Sequence, residues 1–516
     1  MLAKPRFEQI TLDQMHRAST YRLEAMRELL GFALRRAIVQ HDAGASCVQA
    51  PCDGGTDTTR GTGDEYDLLR HGHVVGDNSS DRLVDFTRMA HHHPMSGLPP
   101  PTPEALAHSE RLHELICSDI AANGGWIPFS RYMELALYAP GLGYYSAGAR
   151  KLGAAGDFTT APEMTPLFGQ TLARPLAQLI MSGLPDLLEV GAGSGALAAS
   201  LLEELERLDA LPASYQILEV SADLRERERD TLARRVPHLL DRVQWLNGLP
   251  PGFEGVVIGN EVLDAMPVEL LQWRADGAPL RGGVTVTQGE FGTHGERVTQ
   301  AANATCVNDE VRGAHGTLLS EFRAFDKSAQ PALDEAIAQL ARRGLPGALN
   351  APYTSEIGLA ASGFLRSLIG SVTRGVFLFI DYGFAAAEFY HPQRSEGTLI
   401  CHYQHRSHDQ VLLWPGLQDI TAHVDFSAIA QTARAAGCIL LGYTSQAHFL
   451  INCGITDLLA QTPAQDALRY LPQSNAVQRL LSPTEMGELF KVIGFARNWH
   501  GTLSGFARGD RGGALD

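Results

Sequence analysis

Apolar residues in this chain gather into short runs separated by helix-forming stretches. Leu187 to Val190 is one run, and Tyr215 to Val220, Val243 to Leu246, Gly255 to Gly259 and Val376 to Ile380 repeat the pattern. Runs this short, bounded by turn residues, predict buried strands of a parallel sheet. Between them, Ala196 to Leu205 carries good helix formers, and Ala222 to Arg235 is so charged that its outer face must be solvated. Strand, glycine turn and helix in this order predict a doubly wound α/β domain. Upstream, Thr102 caps a helix opened by Pro103 and Glu104, with Leu106, Leu112, Leu115, Ile116 and Ile120 along one side. Gly124 and Gly125 end it, and Pro128 to Leu137 begins a second helix. Downstream, Ala428 to Gly437 predicts a helix and Ile439 to Gly442 a late strand. Residues 482–497 predict a final helix, with Ser482 and Glu485 in a capping box.

The pattern changes in two places. Residues 272–350 resemble an insertion: RGGVTVTQGEFG alternates as hairpins do, and Pro331 to Arg343 predicts a helix. Glu356 follows at the expected start of another helix. Leu12 to Gln40 predicts an amphipathic helix whose acids do not suit a mitochondrial transit peptide, and from His41 to Pro100 periodicity vanishes. Residues 1–94 are therefore expected to be a disordered extension, with Met95 a natural start. Residues 95–185 form a helical region, 186–505 the core with its insertion, and 506–516 a loose tail.

Composition narrows the function. A net charge of −16 over 516 residues argues against nucleic-acid binding and suits a cationic substrate. The seven cysteines include no C-x-x-C, so neither a disulfide framework nor a zinc site is expected. His91, His92 and His93 have no acidic or cysteine partners spaced around them, and no metal is expected. No apolar run is long enough to predict a membrane span. The expected protein is soluble and cytoplasmic, or in the mitochondrial matrix if the source is eukaryotic.

Candidate chemistry lies at the strand ends. Gly191, Gly193 and Gly195 form a G-x-G-x-G turn, which both dinucleotide enzymes and S-adenosyl-L-methionine (SAM) enzymes use. Glu189, two residues earlier, favours SAM. Glu219, near the end of the next strand, suits the ribose hydroxyls of either ligand. Asn247 follows the third strand, where an adenine could lie, and an ordinary Asn-Gly turn explains it equally. Asn260, Glu261 and Asp264 leave the carboxyl end of a central strand, the edge where ligands bind in open parallel sheets, and they are the leading chemical candidates. Asp157, Thr160 and Glu163 sit in GDFTTAPE before a helix near Pro162. A capped helix start would use the same residues. His423 and Asp425 could form a polar pair, which we read as structural.

The segments YAPGLGYYS, GDFTTAPEMTPLFG, LLEVGAGSG, ILEVS, GNEVLDAMPV, LFIDYG, HVDFS, TSQAHFL and EMGELFKV span about residues 97 to 497. Through them the chain resembles the MidA-like SAM-dependent methyltransferases, relatives of the mitochondrial complex I assembly factor that methylates a protein arginine. The resemblance implies a class I SAM-methyltransferase (Rossmann-like) sheet with N-terminal helical additions and an inserted substrate-side subdomain. It implies SAM contacts at Gly191, Gly193 and Gly195, ribose binding by Glu219, and a cofactor-covering loop from Asp157 to Glu163. It also sets Asn260, Glu261 and Asp264 beside the methyl group as catalytic residues. The implied partner is a protein substrate, for which a respiratory-complex subunit is a candidate. A SAM-binding assembly factor without catalysis and a small-molecule methyltransferase are the competing readings.

Overall fold

The computed structural model describes residues 98–147, 160–275, 278–287, 306–313, 316–346 and 352–516. The expected N-terminal extension, the His91–His93 run and Asp157 lie outside them.

The apolar runs form an eight-stranded sheet. Seven of its strands are β1 (Asp186–Val190), β2 (Tyr215–Leu218), β3 (Val243–Leu246), β4 (Phe253–Asn260), β5 (Val372–Phe384), β6 (Ile439–Ser445) and β7 (Phe490–Arg497). Their order is β6-β7-β5-β4-β1-β2-β3, parallel from β5 to β3, with β7 antiparallel to both neighbours. The eighth, Val424–Asp425, pairs in parallel with the end of β5. This is the expected class I methyltransferase sheet.

Alternation along each strand divides the core. Leu187, Val256, Ile258 and Leu378 pack with Leu172, Leu176, Leu197 and Leu201 of the helices Pro166–Met181 and Ala196–Arg207. Leu188, Val257, Phe377 and Phe379 face the other way, against Leu365, Leu368, Ile429 and Ala433 of the helices Leu359–Ser371 and Phe426–Ala435. Both faces are covered, which is why these runs are apolar throughout rather than alternating.

The insertion between β4 and β5 forms an antiparallel sheet from Glu269–Trp273, Pro279–Thr287, Cys306–Gly313, Gly316–Arg323 and Tyr353–Ile357, joined by Trp126–Pro128. The helices Pro103–Ala122 and Phe129–Tyr138 pack against it through Ile116, Phe129 and Met133, which meet Val284 and Leu318. As expected, the Thr102 side chain caps the first of these helices, accepting from the Ala105 amide. A three-stranded sheet, Ile400–Tyr403, Arg406–His408 and Asp419–Thr421, lies against the same cluster.

Three expectations are corrected. Residues 482–497 contain only a short helix, Met486–Leu489, before β7. FKVIGFAR is hydrogen-bonded between β5 and β6 and buried on both faces, so tertiary pairing overrides the local helical pattern. Glu356 is on the strand Tyr353–Ile357 rather than a helix, and its buried carboxylate accepts from the Thr398 and Leu399 amides at 2.8 and 3.2 Å. The C-terminal residues are packed: Phe506 and Leu515 are buried, and Asp516 pairs with Arg434 at 2.5 Å.

Candidate active site

The carboxyl ends of β1, β2, β4 and β5 open into a cavity of about 550 Å³. At β1, Glu189 is buried, and the Tyr215 hydroxyl donates to its Oε2 at 2.6 Å. Burial pushes this carboxyl up to about 7. The chain then turns through Gly191 at φ 66° and Gly195 at φ 76°, left-handed backbone that glycine adopts without strain. A Cβ on Gly191 would stand 3.2 Å from Val262 Cγ2, and one on Gly195 would stand 3.0 Å from Glu228 Cα. Gly191 and Gly193 line the cavity, and Gly195 caps the following helix, whose N-terminal amides point toward the turn.

At β2, Glu219 is buried in the cavity wall and accepts from the Ser221 amide at 2.8 Å. Its carboxyl is also pushed up to about 7 by burial. Asn247 takes a different place. It is exposed, its Oδ1 accepts from Arg225 Nη1 at 2.7 Å, and Leu249 rather than Asn247 lines the cavity.

The densest chemistry is at β4. Asn260 Nδ2 donates to Glu261 Oε1 at 3.0 Å, and the Glu261 amide donates to the Ile380 carbonyl of β5 at 2.9 Å. Glu261 is held at φ 53°, a conformation that costs a non-glycine residue roughly 1–2 kcal/mol. Such strain clusters at functional sites. The Ala161 amide, first in the helix Ala161–Met164, also hydrogen-bonds the Glu261 carboxylate, joining the GDFTTAPE segment to the strand end. Thr160 lines the cavity beside it. Glu163 is in the same short helix, and its charge acts on Glu261.

Burial first, then the charge of Asp264, pushes Glu261 up to about 8. Asp264, also buried, is pushed up to about 6 against a hydrogen bond from the Tyr382 hydroxyl. Asn260 Oδ1 and Asp264 Oδ1 are buried without a hydrogen-bond partner among the described residues. Asp381 braces this loop: its Oδ2 accepts from the amides of Val262, Leu263 and Asp264 at 3.1, 2.8 and 3.3 Å.

A family model of S-adenosyl-L-methionine-dependent methyltransferases matches residues 171–444, more than half of the chain. The chain belongs to this family. It is similar to a Burkholderia thailandensis protein solved bound to S-adenosyl-homocysteine, with 48% identity and a TM-score of 0.71 over 80% of this chain and 99% of that one. It is 28% identical to mouse protein arginine methyltransferase NDUFAF7, mitochondrial, over 71% of this chain and 80% of that protein. Its identity with the Drosophila melanogaster homologue of that protein is 26%, over 77% and 88% of the two chains.

The residues present fit the family's cosubstrate. The glycine turn presents the left-handed backbone of Gly191 and Gly193 to the cavity, a buried carboxylate stands at the end of β2, and two orphaned polar oxygens belong to cavity-lining residues. Of the residues singled out in the sequence, Glu189, Gly191, Gly193, Glu219, Asn260, Glu261, Asp264 and Thr160 line one cavity, whereas Gly195, Glu163 and Asn247 do not. His423 and Asp425 do not pair. Asp425 caps the helix Phe426–Ala435, and His423 stacks on Phe384 at 5.3 Å. The strand-end position of Asp381 is legible in the sequence as that of Asn260 is, but its bracing of the loop and the place of Tyr382 in the cavity wall are not. Asp419 also lines the cavity, with no local signal in the sequence. Among the described residues, no helix is long and apolar enough to cross a membrane.

Proposed function

We propose that this methyltransferase acts on an arginine side chain of a protein, with Asn260, Glu261 and Asp264 as its catalytic residues. One observation carries the proposal: two carboxyl groups, half-buried Glu261 and buried Asp264, stand in one cavity, the first on strained backbone and the second with an unpartnered oxygen. The arginine methyltransferase names of the mouse and fly relatives support the target.

Bound SAM supplies an activated methyl group on a sulfonium. Gly191, Gly193 and Gly195 would hold it with Glu189 and Glu219, and the 157–163 segment would cover it. The protein's remaining task is to present a nucleophile. A guanidinium is cationic and a poor nucleophile, and carboxylates orient it through paired hydrogen bonds. Asp264, at about 6, is ionised at neutral pH and accepts such bonds. Glu261, at about 8, carries a proton at rest, and an arriving cation favours its release. As the guanidinium nitrogen gains a methyl group it loses a proton, which the carboxyl pair accepts. Asn260 fixes Glu261 through the 3.0 Å hydrogen bond between them.

The test is transfer of labelled methyl from SAM to proteins of a cell extract, followed by hydrolysis. Label in methylarginine is expected, and label in another residue or only in small molecules would overturn the target. Glu261→Gln should lower kcat by about 100-fold while S-adenosyl-homocysteine affinity holds. Equal losses in both would move Glu261 to the cosubstrate site.

A further inference from the structure

Asn247 does not line the cavity, but its partner Arg225 holds the roots of two segments that do. The strands β2 and β3 are paired as far as Leu218 and Leu246. Glu219 and Val220 follow the first strand into the cavity wall, and Leu249 follows the second. Past the last pair, another donor must tie the two ends together. Arg225, half-buried on the helix Ala222–Arg235, supplies it. Its Nε donates to the Glu219 carbonyl at 2.6 Å, its Nη2 to the Leu246 carbonyl at 2.5 Å, and its Nη1 to Asn247 Oδ1 at 2.7 Å. One planar fork joins the ends of both strands to the helix between them. A lysine would keep the charge, but its single ammonium lacks the geometry of the fork.

The same guanidinium acts on the Glu219 carboxyl. The Ser221 amide donates to its Oε1 at 2.8 Å, and the Val220 amide bonds it as well. The charge of Arg225 favours the ionised form, against the burial that pushes the group up to about 7. The other titratable groups that feel Glu219 are Glu189 of β1, Glu228 of the Arg225 helix, and Tyr138 of the helix Phe129–Tyr138. Burial pushes all three up, so Arg225 provides the cation of this cluster.

We propose that Arg225 is a positioning residue of the cosubstrate site, tying the ends of β2 and β3 so that Glu219 meets the ribose hydroxyls, with Asn247 holding the guanidinium rather than the ligand. This rests on the cosubstrate role given above to Glu219. It gives Asn247 a part in the site from outside the cavity.

The test titrates S-adenosyl-homocysteine calorimetrically into the full chain between about pH 6 and about pH 8.5. Wild type is compared with Arg225→Gln, Arg225→Lys, Glu219→Gln and the Arg225→Gln, Glu219→Gln double variant. The ligand's own groups titrate alike in every comparison. Wild-type affinity should rise as pH passes about 7, because ionised Glu219 is the stronger acceptor. Arg225→Gln should weaken binding about tenfold at neutral pH and move the rise upward by about half a pH unit or more. Arg225→Lys should weaken binding with the rise left in place. With Glu219→Gln already present, Arg225→Gln should weaken binding less than about threefold and move nothing further. If Arg225→Gln does not fold, Arg225→Met takes its place and is read in the same way. Unchanged affinity overturns the proposal, and so does a loss that is equal at every pH or equal with and without Glu219. Those results leave the role of Glu219 standing. Glu219→Gln binding as tightly as wild type across the range overturns both.

Discussion

Replacing Glu261 by Gln removes one titrating group and little else. The amide is isosteric, tolerates the same backbone and still offers an oxygen to the Ala161 amide. The pH dependence of folding is what should change. Burial and Asp264 push this carboxyl from 4.5 up to about 8, outweighing the hydrogen bonds from Asn260 and Ala161. Between those values the folded protein holds a proton that the unfolded chain has released. Stability therefore falls as pH rises through the window and levels off above it. At about 1.36 kcal/mol per pH unit the whole shift corresponds to roughly 5 kcal/mol. Glu261 opens onto a cavity that water enters, so we expect about half of this, roughly 2–3 kcal/mol, to be expressed. Urea unfolding of wild type and Glu261→Gln at about pH 5 and about pH 8.5, without ligand, measures it. Asp264 and Asp381, also pushed up by burial, contribute a slope to both proteins. The difference between the two proteins reports Glu261 together with the relief its removal gives to Asp381. The variant should gain roughly 2–3 kcal/mol on the wild type at the higher pH and match it at the lower. Parallel stability curves would refute the reasoning, because they would mean that Glu261 ionises like an exposed glutamate.

Asp381→Ala would leave the amides of Val262, Leu263 and Asp264 without their acceptor, so it should cost about 2–4 kcal/mol in urea unfolding. It should also reduce kcat more than S-adenosyl-homocysteine affinity, since the loop it braces carries the acids. Tyr382→Phe removes the hydroxyl that favours ionised Asp264, so Asp264 should titrate above about 6. The acidic limb of kcat/KM against pH should then move to higher pH, and an unmoved limb would exclude Asp264 as the group it reports. Phe506 meets Phe449 edge-on at 5.2 Å and covers Gly442 and Gly494. Phe506→Ala should cost roughly 3–5 kcal/mol, and unchanged thermal unfolding would mean that the C-terminal segment does not hold the sheet edge.

The parallel half of the sheet was legible in the sequence because its strands are buried on both faces, and such burial leaves a continuous apolar run. The glycine turn was legible too, since left-handed backbone beside a ligand leaves few residues to choose from. Asn260, Glu261 and Asp264 could be read from their place at a strand end, where an open sheet gathers ligands. The β7 strand could not be read locally. FKVIGFAR suits a helix as well as a strand, and only the open edges of β5 and β6 decide between them. The packed C-terminal residues were likewise invisible, because the partners of Phe506 and Asp516 are far away in the chain. Asp419 is the clearest case. It stands 155 residues beyond Asp264, in a segment with no recognisable periodicity, and becomes part of the cavity through Tyr145 and Thr421. Backbone geometry and burial on two faces constrain residue type locally, and so leave a mark on the sequence. Contacts between distant segments constrain only pairs, and a single sequence does not record which residues are paired.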